Sequence, residues 1–291
     1  MASGDTTPQQ VADSLPLAVA SARQTREFEG VMPQVVDKVT LAAGTGLGWR
    51  EVTMAQLTAQ NVTETTRLNN PQQMTDTLLT ITPSVTGIQT LITDRVASRI
   101  SPVAFAKLGG LGQNAIQRKK DDDGLTVLDG ATTSLAGAGT TLTSGHISAG
   151  AHRVTSNATE PGNEPIRAVL HGFQIKDIHD EITAGVGTYN LQEGPTARVW
   201  AEKFQGMISN AQVFEDGNIT IDASADAKGG VFAQEAIILV QGRSPWTETR
   251  REPDIGGGAT SVWLYDEYTY GERSAGNWLF EIYSDATAPT S

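Results

Sequence analysis

Residues 101–130 read SPVAFAKLGGLGQNAIQRKKDDDGLTVLDG, and this stretch carries the clearest helix signal in the chain. It opens with a serine that suits the N-cap and a proline at the first helical position, where proline is tolerated. The basic run 118–120 complements the negative end of the helix dipole, and Gly124 is a typical helix terminator. The sequence therefore predicts a helix over residues 102–120, about 28 Å long at 1.5 Å per residue.

The region before this helix is rich in Thr, Gln, Val and Asn. Residues 53–68 and 74–81 have the composition of strands, and Asn69-Asn70-Pro71 has that of the turn between them. The Thr-rich strands lack a continuous apolar face, and a hairpin that buries so little by itself is marginal in water. We therefore expect this hairpin to lie against a partner subunit.

The region after the helix predicts a small α+β domain. Residues 129–151 are small and polar, which favours a loop or a domain boundary. Beyond them the hydrophobic pattern alternates between strand and helix periods. The predicted elements are a strand at 166–170, a helix at 172–182, a helix at 198–204, a strand at 207–214, a hairpin turn at Asp216-Gly217 and a buried apolar run at 231–240.

The two ends of the chain have different characters. Residues 1–30 are polar, and Pro16 interrupts their helix-forming residues, so we expect an extended arm. Residues 261–270 and 277–284 both alternate between apolar and polar side chains. With 271–276 as the connecting loop, this alternation predicts a closing strand hairpin whose aromatic residues pack in a core.

Composition excludes several classes of function. The chain has 291 residues, a formal net charge of −12 and no cysteine, so disulfides and thiolate chemistry are absent. The densest basic run, at 118–120, is followed at once by three aspartates, which argues against sequence-specific nucleic-acid binding. No stretch approaches the ~20 apolar residues of a membrane helix, and the N-terminus lacks the pattern of a secretory signal. We expect a cytosolic origin without membrane association.

No motif predicts a catalytic, cofactor or metal site. The glycines at 44, 46 and 48 are followed by a strand pattern, whereas a dinucleotide fingerprint requires a helix there. The stretch KDDDGLTVLDG places its glycine and its twelfth residue wrongly for a calcium loop. The four histidines, at 146, 152, 171 and 179, do not share one helix face. We therefore predict no enzyme activity and no cofactor.

Several longer segments of the sequence have a pattern of residues that is found in a known family. Besides the helical stretch, they are PIRAVLHGFQIKDIHDEI (165–182), KFQGMISNAQVFEDGNI (203–219), VFAQEAIILVQGRSP (231–245) and YTYGERSAGNWLFEIYSDATA (268–288). In these phrases and in the order of its elements, the chain resembles the major capsid proteins of tailed phages, which have the Hong Kong 97-type α+β fold. The resemblance implies an N-terminal arm at 1–30, a P-domain at 31–48 and 82–130 with spine helix 102–120, an E-loop hairpin at 49–81, an A-domain at 131–244 and returning P-domain strands at 245–291.

The same resemblance implies a structural function. Such a subunit assembles with itself through hexamers and pentamers into an icosahedral head that encloses double-stranded DNA without reading its sequence. A separate scaffolding protein, a portal and a decoration protein are the implied partners, in the host cytoplasm during assembly and then in the virion. Some members cross-link subunits through an E-loop lysine. No lysine lies between Lys38 and Lys107, so this shell is expected to be held non-covalently.

Charged residues on an otherwise neutral hairpin are candidates for contacts between subunits, because charge sets register and partner choice. These candidates are Arg50, Glu51, Glu64 and Arg67. Three alternatives stay open: an encapsulin-like nanocompartment shell, which shares the fold, another virion component such as a tail or decoration protein, and an unrecognised α+β hydrolase.

Overall fold

The computed structural model describes residues 28–42, 44, 46–65, 67, 71–98, 102–184, 206–255, 257–274 and 276–290. Most of the predicted arm and the predicted helix at 198–204 lie outside these residues, as do the two asparagines of the predicted hairpin turn. The described helices are α1 (Met32–Val35), α2 (Asp94–Ala97), α3 (Pro102–Asp129), α4 (Ser144–Thr155) and α5 (Gly172–Ala184).

The described strands form three sheets. They are β1 (Asp37–Thr40), β2 (Trp49–Met54), β3 (Asp76–Ile81), β4 (Ser84–Thr93), β5 (Ser134–Ala136), β6 (Ile166–Leu170), β7 (Met207–Ile208), β8 (Ala211–Glu215), β9 (Asp226–Ala233), β10 (Ile237–Glu252), β11 (Ala259–Glu272) and β12 (Leu279–Asp285).

The first sheet has four strands in the order β1-β10-β11-β4. β10 and β11 pair antiparallel along almost their full length, β4 pairs antiparallel with β11, and β1 pairs parallel with β10. The long helix α3 packs across this sheet. A buried ion pair joins the two layers, because Lys120 Nζ on α3 lies 3.0 Å from Asp266 Oδ2 on β11.

The second sheet has six strands in the order β5-β12-β9-β6-β8-β7. One face packs on α4 and α5 through a core that includes Ile147, Ile175 and Ile178. The other face packs on the C-terminal end of α3, where Leu128 meets Phe232. Because both faces are covered, nearly all residues of the central strands β6 and β9 are buried.

The third sheet is the two-stranded hairpin β2–β3. Its register runs from Trp49 opposite Ile81 to Met54 opposite Asp76. The predicted strands at 53–68 and 74–81 are therefore wrong in their bounds, because most of 55–75 lies outside any strand. Their Thr-rich alternation favours a strand locally, yet among the described residues the ladder between the two segments ends with the Ala55–Thr75 bond.

The predicted long helix is present but ends at Asp129, not at residue 120. Gly124 lies within the helix. A Cβ at this position would come 2.7 Å from Met32 Cβ, so only glycine leaves room for that contact. This glycine permits close packing and does not end the helix. The predicted loop at 129–151 is also wrong, because it contains β5 and most of α4. Ile147, Ala151 and Val154 form the buried stripe of α4.

The predicted C-terminal hairpin is the clearest error. β11 lies in the four-stranded sheet, whereas β12 pairs with β9 and β5 in the six-stranded sheet. Residues 277–284 thus belong with the α+β region and not with returning strands of the first sheet. Asp216-Gly217 is not a two-residue hairpin turn either, because β8 pairs with β6 and β7 and not with β9. The strand Ile166–Leu170 and the helix start at Gly172 are confirmed.

Candidate functional site: the exposed β2–β3 hairpin

The β2–β3 hairpin concentrates the exposed apolar surface of the described chain. Every described residue from Val52 to Leu78 is exposed to solvent. Of the twelve large apolar side chains that are exposed among the described residues, seven lie on or beside this hairpin. A clustered apolar surface of this kind marks an interaction site more often than a free surface. The seven are Leu47, Val52, Met54, Leu57, Val62, Met74 and Leu78.

The strand register places two of these side chains opposite each other. Val52 of β2 faces Leu78 of β3, and their exposed fractions are 52% and 57%. Directly opposed apolar side chains stabilise a strand pair, but here the face that carries them has no covering layer in the described part of the chain. An isolated two-stranded hairpin is marginal in water. The distal half of this hairpin therefore lacks the packing partner that its side chains require.

The base of the hairpin is well packed. Ile81 is buried against Ile238 and Val240 of β10, and Trp49 packs at the edge of the same cluster. Gly271 on β11 makes room for this contact, since a Cβ at that position would lie 2.2 Å from Ile81 Cδ1. The hairpin is thus held by apolar packing at its base, whereas the described residues of its distal half are exposed.

Arg273 supplies the polar half of the anchor. Its Nε donates to Glu51 Oε2 at 2.9 Å, and its Nη1 donates to Asp37 Oδ2 at 2.7 Å and to the Glu235 carbonyl at 3.1 Å. The guanidinium also lies 5.4 Å from the centre of the Trp49 ring, within cation–π range. One side chain therefore ties the hairpin, β1 and the short 3₁₀ turn at Gln234–Ala236 together.

Contacts in the distal half are few. The Ala55 N–H donates to the Thr75 carbonyl at 2.9 Å and extends the ladder by one bond. Further out, the Thr58 N–H donates to Gln72 Oε1 at 2.6 Å. The Gln56 side-chain amide donates to the Thr159 carbonyl in the loop after α4. These bonds hold an extended shape but bury little apolar area.

The structure places the four predicted contact residues differently from one another. Arg50, Glu64 and Arg67 are exposed on the hairpin, as a contact to a neighbouring subunit requires. Glu51 is half-buried and is engaged by Arg273 of the same chain. The structure does not bring the four together into one cluster. Their role between subunits stays a prediction.

Sequence reasoning missed both the apolar cluster and Arg273. The apolar cluster has a readable signal, because Leu57, Val62 and Met74 are large apolar residues in a Thr-rich segment that has no continuous apolar face. Arg273 has none, since 222 residues separate it from Glu51. Only the fold brings these two residues together.

The described residues hold no group of three or more potential metal ligands. His171 behaves as a turn residue: its Nδ1 accepts the Phe173 N–H at 3.1 Å, and burial lowers the pKa of its imidazole. Within the same residues, no helix is both long and apolar enough to cross a membrane. The geometry therefore draws attention to the hairpin and its anchor as a surface for contact.

Comparison with known proteins identifies the fold. No protein-family model and no curated protein sequence matches the chain. Solved phage capsids do match. The acidic stable capsid structure of Helicobacter pylori bacteriophage KHP30 has a TM-score of 0.70 at 11% identity, over 91% of this chain and 94% of that chain. The capsid structure of the cyanophage P-SCSP1u has a TM-score of 0.69 at 10% identity, over 91% of both chains.

A third structure, the mature capsid of bacteriophage PhiM1, has a TM-score of 0.63 at 16% identity, over 92% of this chain and 90% of that chain. The chain therefore has the α+β fold of phage capsid proteins. The likeness spans about nine tenths of each chain, so it covers the whole fold and not one domain.

Proposed function

We propose that this chain is a major capsid protein, which assembles with itself through hexamers and pentamers into an icosahedral head shell around double-stranded DNA. The observation that carries the proposal is the exposed β2–β3 hairpin on a capsid fold. Its distal half offers apolar side chains that find no covering layer among the described residues. A second copy of the chain supplies the missing layer.

The domain assignment follows from this proposal. The hairpin from Trp49 to Ile81 is the E-loop, α3 is the spine helix, the four-stranded sheet belongs to the P-domain and the six-stranded sheet to the A-domain. Within the segment 245–291, β12 joins the A-domain because it pairs with β9. The earlier elements of that segment stay with the P-domain.

The asymmetry of the hairpin suits ring formation. Val52 and Leu78 oppose each other on the hairpin, so a neighbour that covers them with a different part of its own surface makes a head-to-tail contact. Head-to-tail contacts close into rings when the rotation between subunits permits it. Permanent interfaces of this type bury on the order of 2,000–5,000 Å². Many such contacts in a closed shell give a stable particle even where each contact is weak.

The chemistry of the chain fits a non-covalent container. No lysine lies between Lys38 and Lys107, so the hairpin offers no amine for a cross-link. The net charge of −12 favours a wall that does not adhere to enclosed DNA. A scaffolding protein, a portal and a decoration protein are the further partners that this function implies. The head is formed in the host cytoplasm and becomes part of the virion.

Assembly in the presence and absence of the hairpin tests the proposal. The full chain, expressed together with a scaffolding protein, is expected to give closed shells in negative-stain electron microscopy. A variant in which Asn-Gly replaces residues 56–74 keeps the Ala55–Thr75 bond and closes the strands with a two-residue turn. We expect this variant to fold with an unchanged unfolding midpoint and to form no shells.

The two possible failures are distinguishable. Wild-type chain that stays monomeric with its scaffold under all conditions contradicts the capsid function itself. Shells formed by the Asn-Gly variant contradict only the role of the hairpin. Particles that contain DNA support a phage head, whereas particles filled with an enzyme support the nanocompartment alternative.

A further inference from the structure

Two buried carboxyl groups face each other where three segments of the chain meet. Asp121 lies on α3 and Asp216 follows β8, and both residues have a relative exposure of 0%. The two carboxyls are close enough to share a hydrogen bond. Neither forms an ion pair within the described part of the chain. A capsid subunit has no evident use for such a costly pair, because buried carboxyls without a counter-charge destabilise a fold.

The pair holds the first described segment of the chain, residues 28–36. The Met32 N–H donates to Asp121 Oδ1 at 2.9 Å, and the Val31 N–H donates to Asp216 Oδ2 at 3.3 Å. Asn218 bridges the same two groups, with its side-chain amide 2.9 Å from Asp121 Oδ2 and its backbone N–H 2.9 Å from Asp216 Oδ1. The segment is therefore bonded to the spine helix and to the loop after β8 at one point.

Packing around the pair leaves little slack. Gly30 lies directly over Asp121, since a Cβ there would come 2.3 Å from the Asp121 Cγ. Phe28 covers Gly217 in the same way, at 2.9 Å from a notional Cβ. Any increase in the distance between the two carboxyls must move the backbone of residues 28–36, because this backbone is packed against both of them.

The electrostatic surroundings favour one shared proton. Burial, with a further contribution from the neighbouring Asp121, raises the pKa of Asp216 to about 7. The nearest lysines are committed elsewhere, since Lys120 pairs with Asp266 and Lys119 with Asp123. The other titratable groups at the site are Asp122, which follows Asp121 on α3, Glu215, which precedes Asp216 at the end of β8, and Tyr270 on β11; the charge of Asp121 acts on both Asp122 and Tyr270.

Tyr270 provides a second observation near the pair, a buried polar group that is not hydrogen-bonded within the described residues. Its hydroxyl is buried and has no hydrogen-bond partner in the described structure. Its ring packs against Gly124 and Met32, one turn of α3 from Asp121. Burial raises the pKa of the Tyr270 phenol, and the negative charge of Asp121 adds to this rise. The Tyr270 hydroxyl is thus a buried hydrogen-bond donor without a partner in the described structure, and it lies near the Asp121 carboxyl.

We propose that Asp121 and Asp216 form a proton-controlled latch between the N-terminal segment and the body of the subunit. With one proton between them, the two carboxyls bond to each other and fix residues 28–36 against α3. Without that proton, two buried carboxylates repel and the segment is released. The latch belongs to the single chain, so it stands or falls separately from the proposed shell function.

Linkage gives the sign of the pH effect. A carboxyl whose pKa is raised on folding binds a proton in the folded chain that the unfolded chain has already lost. Its contribution to stability is complete at low pH and disappears as the pH rises from the ordinary value of 3.8 to about 7. Above that value, the latch contributes nothing further to the pH dependence.

The test compares the unassembled full chain with Asp216→Asn, an uncharged isostere that mimics the protonated latch. Urea unfolding between pH 5 and 8 measures the unfolding constants of both. Their ratio is expected to change roughly 100-fold over this range, because only the wild type loses the proton. Hydrogen exchange is expected to show residues 28–36 losing protection in wild type at pH 8 while β9 stays protected, with no such loss in Asp216→Asn.

Asp254→Asn is the matched control, since it removes one exposed carboxylate from the loop between β10 and β11 and leaves all histidines in place. It is expected to follow the wild-type pH profile. Asp121→Asn is the second variant, used if Asp216→Asn folds poorly. It removes the charge of the other member of the pair. Parallel pH profiles for wild type and both latch variants overturn the proposal, as does protection of residues 28–36 that is independent of pH.

Discussion

Arg273 binds Glu51 across 222 residues of sequence, with Nε 2.9 Å from Oε2. The arginine side chain is only 16% exposed, whereas the glutamate is 38% exposed. The same guanidinium also bonds to Asp37 and lies against the Trp49 ring. Together with the burial of Ile81, this contact fixes the base of the exposed hairpin to the four-stranded sheet. An interface built on the hairpin depends on a residue that lies outside the hairpin.

Arg273→Ala is expected to lower the free energy of unfolding by about 1–3 kcal/mol, because it leaves two half-buried carboxylates without their donor. The freed hairpin base is expected to be cut faster by trypsin after Arg50. Urea denaturation and timed proteolysis measure the two effects. Arg251→Ala is the control, since its ion pair with Asp94 is exposed on both sides and is worth roughly 0–1 kcal/mol. Equal losses in the two variants contradict a special role for Arg273.

Leu57→Asp tests the apolar surface of the hairpin without changing its length. Leu57 is 59% exposed, so the change is expected to move the free energy of unfolding by no more than about 0.5 kcal/mol. Shell formation is expected to fail, because a carboxylate replaces an apolar contact with the neighbour. Sedimentation and negative-stain microscopy report the particles. Ala59→Asp introduces the same charge two residues away on a small side chain, and assembly that fails equally there indicates a charge effect only.

Secondary structure could be predicted from the sequence wherever it depends mainly on the side chains of the segment itself. Ile166–Leu170 is a strand-length apolar run broken only by Arg167, and it forms the buried strand that such a run predicts. α3 is also readable locally, but its end is not. Gly124 terminates helices by propensity, and here a contact with Met32 overrides that preference.

The partition of strands between sheets could not be read in this way. β11 and β12 both alternate, and nothing local shows that they join different sheets, because strand pairing is a non-local choice. The candidate site likewise has one part that could be predicted from local sequence and one part that could not. The exposed hairpin follows from its poor apolar face, whereas its anchor depends on partners that only the complete fold supplies.

Gly124→Ala is expected to destabilise the chain by about 1–3 kcal/mol, although alanine is the better helix former. The new methyl group would lie 2.7 Å from Met32 Cβ and 3.2 Å from Tyr270 Cζ, and neither atom can move without shifting α1 or β11. Gly112→Ala on the same helix is the control. Its Cβ would meet the flexible end of Leu264 at 3.3 Å and would lie in ordinary contact with Ile88 Cγ2 at 3.8 Å. Thermal unfolding of both variants decides between packing and propensity, since propensity alone stabilises both.

Lys120→Met tests the buried ion pair that joins α3 to the four-stranded sheet. Lys120 Nζ lies 3.0 Å from Asp266 Oδ2 and 2.9 Å from Gln241 Oε1, and the Asp266 side chain is completely buried. Removing the lysine leaves a buried carboxylate unpaired, so the free energy of unfolding is expected to fall by about 3–5 kcal/mol.

Adding Asp266→Leu to that variant is expected to restore most of this loss, because an apolar pair of similar volume needs no counter-charge. Lys119→Met, one residue earlier on the exposed face of α3, is expected to cost less than about 1 kcal/mol, since its pair with Asp123 is solvated. Urea denaturation of the four chains measures these differences. If Lys119→Met and Lys120→Met unfold at the same urea concentration, the buried pair does not hold the helix, and packing of Ile116 and Leu128 must do so instead.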